Sequence, residues 1–324
     1  MRAPAFWAHD GVLPALLAPL GAVYAAGTAR RVARPGFRAP VPVFCAGNAT
    51  AGGAGKTTLA LDLGARLVAR GVPVAFLTRG YGGRAGAVRR VDAARHDAAM
   101  VGDEALLLAE IAPTYVAGDR AAAAREAVVD GAQALVMDDG LQNPTLHKDC
   151  SFLVIDGEAG FGNGRPIPAG PLREPAAAAA ARCRAAVLIG PDRTAARAAL
   201  PPALPVLCAQ LRPGHDILTL TPSKLLAFAG IGRPDKFFAM LRAAGMSLAA
   251  CRPFPDHHRF SAAEFSSLLA EAARLGAVPV TTPKDAARLT PAQRAQVRVV
   301  GVGLAWDDAA ALEALLGDVL AGVT

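Results

Sequence analysis

A chain of 324 residues is long enough for two α/β domains with cores of their own, and a hydrophobic share of 53% excludes a disordered chain. The formal charge of +7 suits an acidic partner, but aromatics make up only 5% and do not interleave with the basic residues, which excludes the stacking surfaces of a nucleic-acid binder. Cys45, Cys150, Cys183, Cys208 and Cys251 are odd in number and widely scattered with no C-x-x-C pair, so they read as small buried side chains in a reducing compartment.

From Gly11 to Gly27 the chain carries no charge, and Arg30, Arg31, Arg34 and Arg38 follow. Pro14 and Pro19 are expected to interrupt a stretch already short for spanning a bilayer. The cations lie on the wrong side for a signal peptide. Residues 1–38 instead suit a segment on an anionic membrane surface, with Phe6, Trp7, Leu13, Leu16, Leu17, Leu20 and Tyr24 entering the lipid boundary and the arginines meeting headgroups. A helix packed on the protein's own body is the alternative.

Val41 to Ala46 is a short apolar run, and the glycine-rich stretch from Gly47 to Thr58 leads into the helical spacing of Leu59, Leu63 and Leu67. Strand, turn and helix in that order aim backbone N–H groups and a helix N-terminus at phosphate oxygens. Asn48, Thr50, Gly52, Gly53, Ala54, Gly55, Lys56, Thr57 and Thr58 are the expected nucleotide contacts, with Lys56 reaching the β- and γ-phosphates of ATP and Thr57 taking Mg²⁺. Thr50 stands where the usual first glycine would be.

Asp103 and Glu104 precede Ala105 to Leu108, so Asp103 is either a helix N-cap or a functional carboxylate. The run Ala134 to Met137 ends in Asp138 and Asp139, and acidic residues at the carboxyl end of a parallel strand can hold Mg²⁺ beside the phosphate loop. Of the two, Asp139 is expected to act mainly through Mg²⁺ and Asp138 more weakly. Arg173 and Glu174 lie in a proline-flanked loop, where an arginine can grip phosphate in two prongs or form a surface salt bridge.

Strand-like runs at 41–44, 74–77, 134–137 and 152–155 alternate with helical stretches, which predicts a P-loop-type α/β domain over 39–205, its parallel sheet covered by helices on both faces. Runs at 206–211 and 217–220, flanking Pro213 and Gly214, predict a hairpin linker over 206–221. A second, smaller α/β domain is expected over 222–324, with the site in the cleft between the two.

Gly47-Asn48 with Gly52-Gly53-Ala54-Gly55-Lys56-Thr57 resembles the phosphate loop of the tetraacyldisaccharide 4'-kinases, with Ala54 for the family's usual threonine and Thr58 for its usual proline. The likeness continues in order through Thr78-Arg79-Gly80-Tyr81-Gly82-Gly83, Val101 to Glu104, Asp138 to Asn143, Gly160 to Gly164 and Pro168 to Pro175. Ala229 to Pro234, Pro255 to Phe260 and Thr282 to Asp285 complete it, with Asn143 where a histidine and Pro283 where a glutamate is usual.

This resemblance implies an ATP- and Mg²⁺-dependent kinase on the cytoplasmic face of the bacterial inner membrane. It would transfer the γ-phosphate to the 4'-hydroxyl of a tetraacyl glucosamine disaccharide 1-phosphate, giving lipid IVA, with no obligate protein partner. It further implies that Asp103 and His257 form the catalytic pair, that Glu104 joins Thr57, Asp138 and Asp139 around the metal, and that Arg79, Arg173 and Glu174 contact substrate. The competing class is a deviant P-loop ATPase acting as a nucleotide-switched binding module, but Ala51 occupies the position of that class's signature lysine.

Overall fold

The computed structural model describes residues 4–80 and 87–322. Its first half runs α1 (Val12–Val32), β1 (Val43–Gly47), α2 (Lys56–Ala69), β2 (Val74–Thr78), β3 (Arg89–Arg90), α3 (Ala98–Val101), α4 (Asp103–Ala109), β4 (Thr114–Val116), α5 (Arg120–Val129), β5 (Ala134–Asp138) and β6 (Cys150–Asp156). Then come α6 (Ala176–Ala180), β7 (Ala185–Ile189), β8 (Val206–Pro213), β9 (Lys224–Ala229), α7 (Pro234–Ala243), β10 (Ser247–Pro253), α8 (Ala262–Leu275), β11 (Ala277–Thr281), α9 (Pro283–Ala286), α10 (Pro291–Arg294), β12 (Arg298–Val299), β13 (Val302–Trp306) and α11 (Ala309–Ala321).

Nine strands form one sheet in the order β13-β8-β7-β6-β1-β5-β2-β4-β3, parallel from β8 to β4 with an antiparallel strand at each edge. Along β1 the side chains alternate between faces. Phe44 and Ala46 pack with Leu59, Leu63 and Leu67 of α2, while Val43 and Cys45 pack with the alanines of α5. Every residue of β1, β2, β5, β6 and β7 is buried, which is why these strands are unbroken apolar runs rather than alternating ones. Burying each leucine of the α2 stripe contributes about 1.5–3 kcal/mol. The chain leaves β1 toward β2 on one side and later fills β6, β7 and β8 on the other, so a crevice opens at the carboxyl end of β1.

The second sheet, β10-β9-β11-β12, is all parallel. Phe237, Phe238 and Leu241 of α7 cover one face, and Phe265, Leu268 and Ala272 of α8 cover the other.

Three expectations need correction. The hairpin over 206–221 does not form: β8 pairs with β7 and β13, and residues 215–220 make a 3-10 helix. Ile217 and Leu220 are buried three residues apart, a spacing that eclipses in a 3-10 turn and would put them on opposite faces of a strand. Residues 302–321 do not stay with the second unit. β13 joins the edge of the large sheet, and Leu312 and Leu316 of α11 enter the same core as α2. Finally, Pro14 and Pro19 do not break α1, which runs unbroken for 21 residues. Pro14 sits in the first turn, where its missing N–H has no intrahelical partner to lose, and Pro19 removes one backbone bond.

Pro14, Gly21 and Thr28 form the buried stripe of α1, and Gly21 approaches the Pro166 carbonyl so closely that a Cβ would lie 2.9 Å from its oxygen. Val12, Leu13, Leu16, Leu20 and Val23 are exposed. By length and composition α1 could cross a membrane. Trp7 is tied to the body instead, its Nε1 donating to the Pro168 carbonyl at 3.0 Å.

Candidate active site

The turn between β1 and α2 is pinned from the side by the Pro171–Arg173 segment. Ala51 N donates to Pro171 O at 2.7 Å and Arg173 N to Ala49 O at 2.6 Å. Gln142 Nε2 adds a bond to Asn48 O at 2.8 Å. Gly55, with φ +95, caps α2 in a conformation that side chains resist, and a Cβ there would lie 2.6 Å from Ile189 Cδ1. No side chain caps α2 and its first turn carries no acid, so its leading N–H groups stand ready for an anion.

Within this loop the Asn48 side chain is buried and donates to Thr50 Oγ1 at 3.0 Å, while its Oδ1 has no partner among the described residues. Gly52 and Gly53 are exposed and Thr58 is half-buried at the start of α2. Ala54 turns its methyl into the main core, so only its backbone can serve a nucleotide. Lys56 Nζ donates to Gly52 O at 3.4 Å and lies 3.7 Å from Asp139 Oδ1.

The acidic pair at the end of β5 divides. Asp138 is buried with neither oxygen hydrogen-bonded, and burial together with the nearby Glu104 pushes its carboxyl up to about 7. Asp139, with φ +54, turns the other way and accepts from Arg173 Nη1 at 2.7 Å. Burial would raise its pKa, but Lys56 and Arg173 hold it below the usual range. Asp138, with both oxygens unpaired at the carboxyl end of a parallel strand, and the Thr57 hydroxyl in the first turn of α2 are donors of the kind that suit Mg²⁺, whereas Asp139 is engaged by Arg173 and Lys56. Among the described residues no three His, Cys, Asp or Glu side chains are placed together to hold a metal ion, so the three carboxylates expected around it, Glu104, Asp138 and Asp139, do not converge as a set.

Across the crevice, Asp103 and His257 meet. His257 Nδ1 lies 3.2 Å from Asp103 Oδ2, and His257 sits at φ +57 on the loop after β10. Burial would raise the Asp103 pKa, but the His257 hydrogen bond and the charges of Arg288 and Lys284 hold it far below the carboxylate range. The same hydrogen bond raises the His257 pKa above its ordinary value. His258 points elsewhere, stacked on Phe254 with ring centroids 4.8 Å apart. Glu104 Oε1 accepts from Thr57 Oγ1 at 3.2 Å and from Lys284 Nζ at 2.6 Å, so it bridges the phosphate loop to the second unit.

The proposed substrate contacts do not stay together. Arg173 is at the loop, bonded to Asp139 and, at 3.3 Å, to Gln142 Oε1. Glu174 is buried and accepts from Gln142 Nε2 at 2.9 Å and Arg182 Nη2 at 2.7 Å, which makes it the anchor of Arg173's loop rather than a group presented to the crevice. Arg79 is exposed at the end of β2, and Tyr81, Gly82 and Gly83 lie outside the described residues. Lys284 and Arg288 were given no role by sequence reasoning. Their signal was the T-x-x-D capping pattern of Thr282 and Asp285, which predicts a helical turn carrying both cations on one side.

A family model described as Tetraacyldisaccharide-1-P 4'-kinase matches residues 13–321. The chain is 63% identical over 318 residues to the tetraacyldisaccharide 4'-kinase of Gluconacetobacter diazotrophicus, covering 98% of this chain and 97% of that one. It is 53% identical to the protein of the same name from Rhodospirillum rubrum, covering 99% of each. The crystal structure of the "apo" form LpxK from Aquifex aeolicus in complex with ATP superposes with a TM-score of 0.75 at 24% identity, over 95% of this chain and 100% of that chain, a likeness of fold.

Proposed function

The chain belongs to the tetraacyldisaccharide-1-P 4'-kinase family and is an ATP-dependent kinase of a lipid A precursor, and we propose that Asp103 and His257 together take the proton from its attacking 4'-hydroxyl. The observation that carries this is the 3.2 Å contact between His257 Nδ1 and Asp103 Oδ2, made across the crevice. Phosphoryl transfer needs the γ-phosphate clamped, its charge neutralised and the hydroxyl aligned. The α2 N-terminus and Lys56 do the clamping. Asp138 and Thr57 would hold Mg²⁺, which supplies charge neutralisation to the transferring group. Arg173, now neutralised by Asp139, is placed to exchange that carboxylate for a phosphate. Asp103 fixes the imidazole's orientation, and the pair accepts the proton as one unit.

The exposed apolar face of α1, with Arg30, Arg31, Arg34 and Arg38 at its end, supports docking on the anionic cytoplasmic leaflet where an acylated substrate resides.

The test is transfer of label from γ-labelled ATP to a monophosphorylated, acylated glucosamine disaccharide. Asp103→Ala and His257→Ala should each lower kcat by roughly 10²–10⁴-fold. The double variant should be little worse than the worse single one, because coupled groups are non-additive. His258→Ala should cost about 1 kcal/mol of stability through its lost ring contacts and leave kcat nearly intact. Fully multiplicative losses, or a greater loss at His258, would show the pair to be misassigned.

A further inference from the structure

Arg288 lies in the turn after α9 with its side chain buried, and its guanidinium reaches three acceptors at once. Nε donates to Asp103 Oδ2 at 3.0 Å and Nη2 bonds the same oxygen. Nη1 donates to Gly230 O at 2.8 Å and to Asp285 Oδ1 at 3.1 Å. Asp285 is itself immobilised: fully buried, it accepts from Gly230 N at 2.9 Å and from Thr282 Oγ1 at 2.6 Å. Gly230 O also accepts the backbone N–H of His257 at 3.0 Å. One guanidinium therefore ties the carboxylate of the first unit to the carbonyl that holds the His257 backbone in the second.

We propose that Arg288, anchored by Asp285, is a positioning residue for phosphoryl transfer: it grips Asp103 from across the crevice and so sets the geometry in which Asp103 meets His257. This rests on the Asp103–His257 reading above. The fork matters as well as the charge. A planar guanidinium can bond Asp103 on one edge and Gly230 with Asp285 on the other, whereas an ammonium presents a single point and cannot span both. Without the fork, the hydrogen bonds left to Asp103 among the described residues are those of His257 and of the Glu104 N–H, which donates to Oδ1 at 3.0 Å, and the carboxylate is freer to swing.

A cycle over Arg288→Gln and Asp103→Asn, read as kcat and KM for ATP on the full chain with labelled transfer to the acylated disaccharide, tests this. Arg288→Gln should lower kcat about 10²-fold, the scale of a small misplacement of a reacting group, with KM for ATP unchanged. Arg288→Lys should recover part of the loss, and it also serves where the glutamine variant fails to fold. In the Asp103→Asn background either change at Arg288 should cost almost nothing further. The same fold-loss in both backgrounds would overturn the proposal while leaving the pair intact, as would a lowered Tm with kcat unchanged. Full kcat in Asp103→Asn alone would overturn the pair and the brace together.

Discussion

The phosphate loop is built from consecutive residues, Gly47 to Thr58, and most of what it offers a phosphate is backbone N–H and one lysine. The cluster around Asp103 is built instead from side chains at 103, 104, 257, 284 and 288, which belong to two different sheets' surroundings and meet only where the units face each other. The first depends on local geometry, such as the positive φ of Gly55, and its inward-turned side chain, Ala54, belongs to the core rather than to the phosphate-facing surface. The second depends on charge balance among buried groups, so removing one member strands the others. A contiguous site can thus be built by one unit alone. A cross-cleft site requires both.

Lys56→Ala gives the largest expected effect. It removes phosphate neutralisation without touching the core, so turnover should fall on the order of 10³-fold with Tm unchanged. Normal turnover at saturating ATP would break the loop half of the comparison.

Next comes the acidic pair. Asp138→Asn should raise the Mg²⁺ concentration needed for half-maximal rate by roughly 10–100-fold. Asp139→Asn should act mainly on ATP affinity, because it frees Arg173 and Lys56. The reverse ranking in a Mg²⁺ titration would return Asp139 to the metal.

A smaller effect sharpens the cross-cleft half. Asp103 raises the His257 pKa by stabilising the imidazolium, so its removal must lower it. An NMR titration of the His257 ring in Asp103→Asn should therefore show a midpoint moved to lower pH. An unmoved midpoint would mean the two side chains do not meet in solution.

The smallest effect on the chemistry belongs to α1. Leu16→Glu with Leu20→Glu, both on its exposed face, should lower co-flotation with anionic vesicles while leaving kcat on detergent-dispersed substrate unchanged. Equal flotation of the variant and the parent would remove α1 as the membrane contact.

Sequence by itself determined the elements whose cause is local. The fully buried strands are visible as apolar runs, the phosphate loop as glycines ahead of a leucine-spaced helix, and the ordered motifs as a family resemblance. Tertiary structure decided the rest. Nothing near β13 says that residues 302–306 will leave the second unit to pair with β8, because an edge strand's partner is chosen by the space left beside it. The prolines of α1 looked like breaks because propensity ignores the first turn and the body that supports the helix. Asp138 and Asp139 look alike in sequence, and the fold separates them: Asp138 is buried with both oxygens unpaired, while Asp139, on left-handed backbone, accepts from Arg173. The capping pattern of Thr282 and Asp285 marks a turn that carries Arg288, but not its partner, because the carboxylate it lies against is remote in the chain and is brought near only by the packing of two separately formed cores.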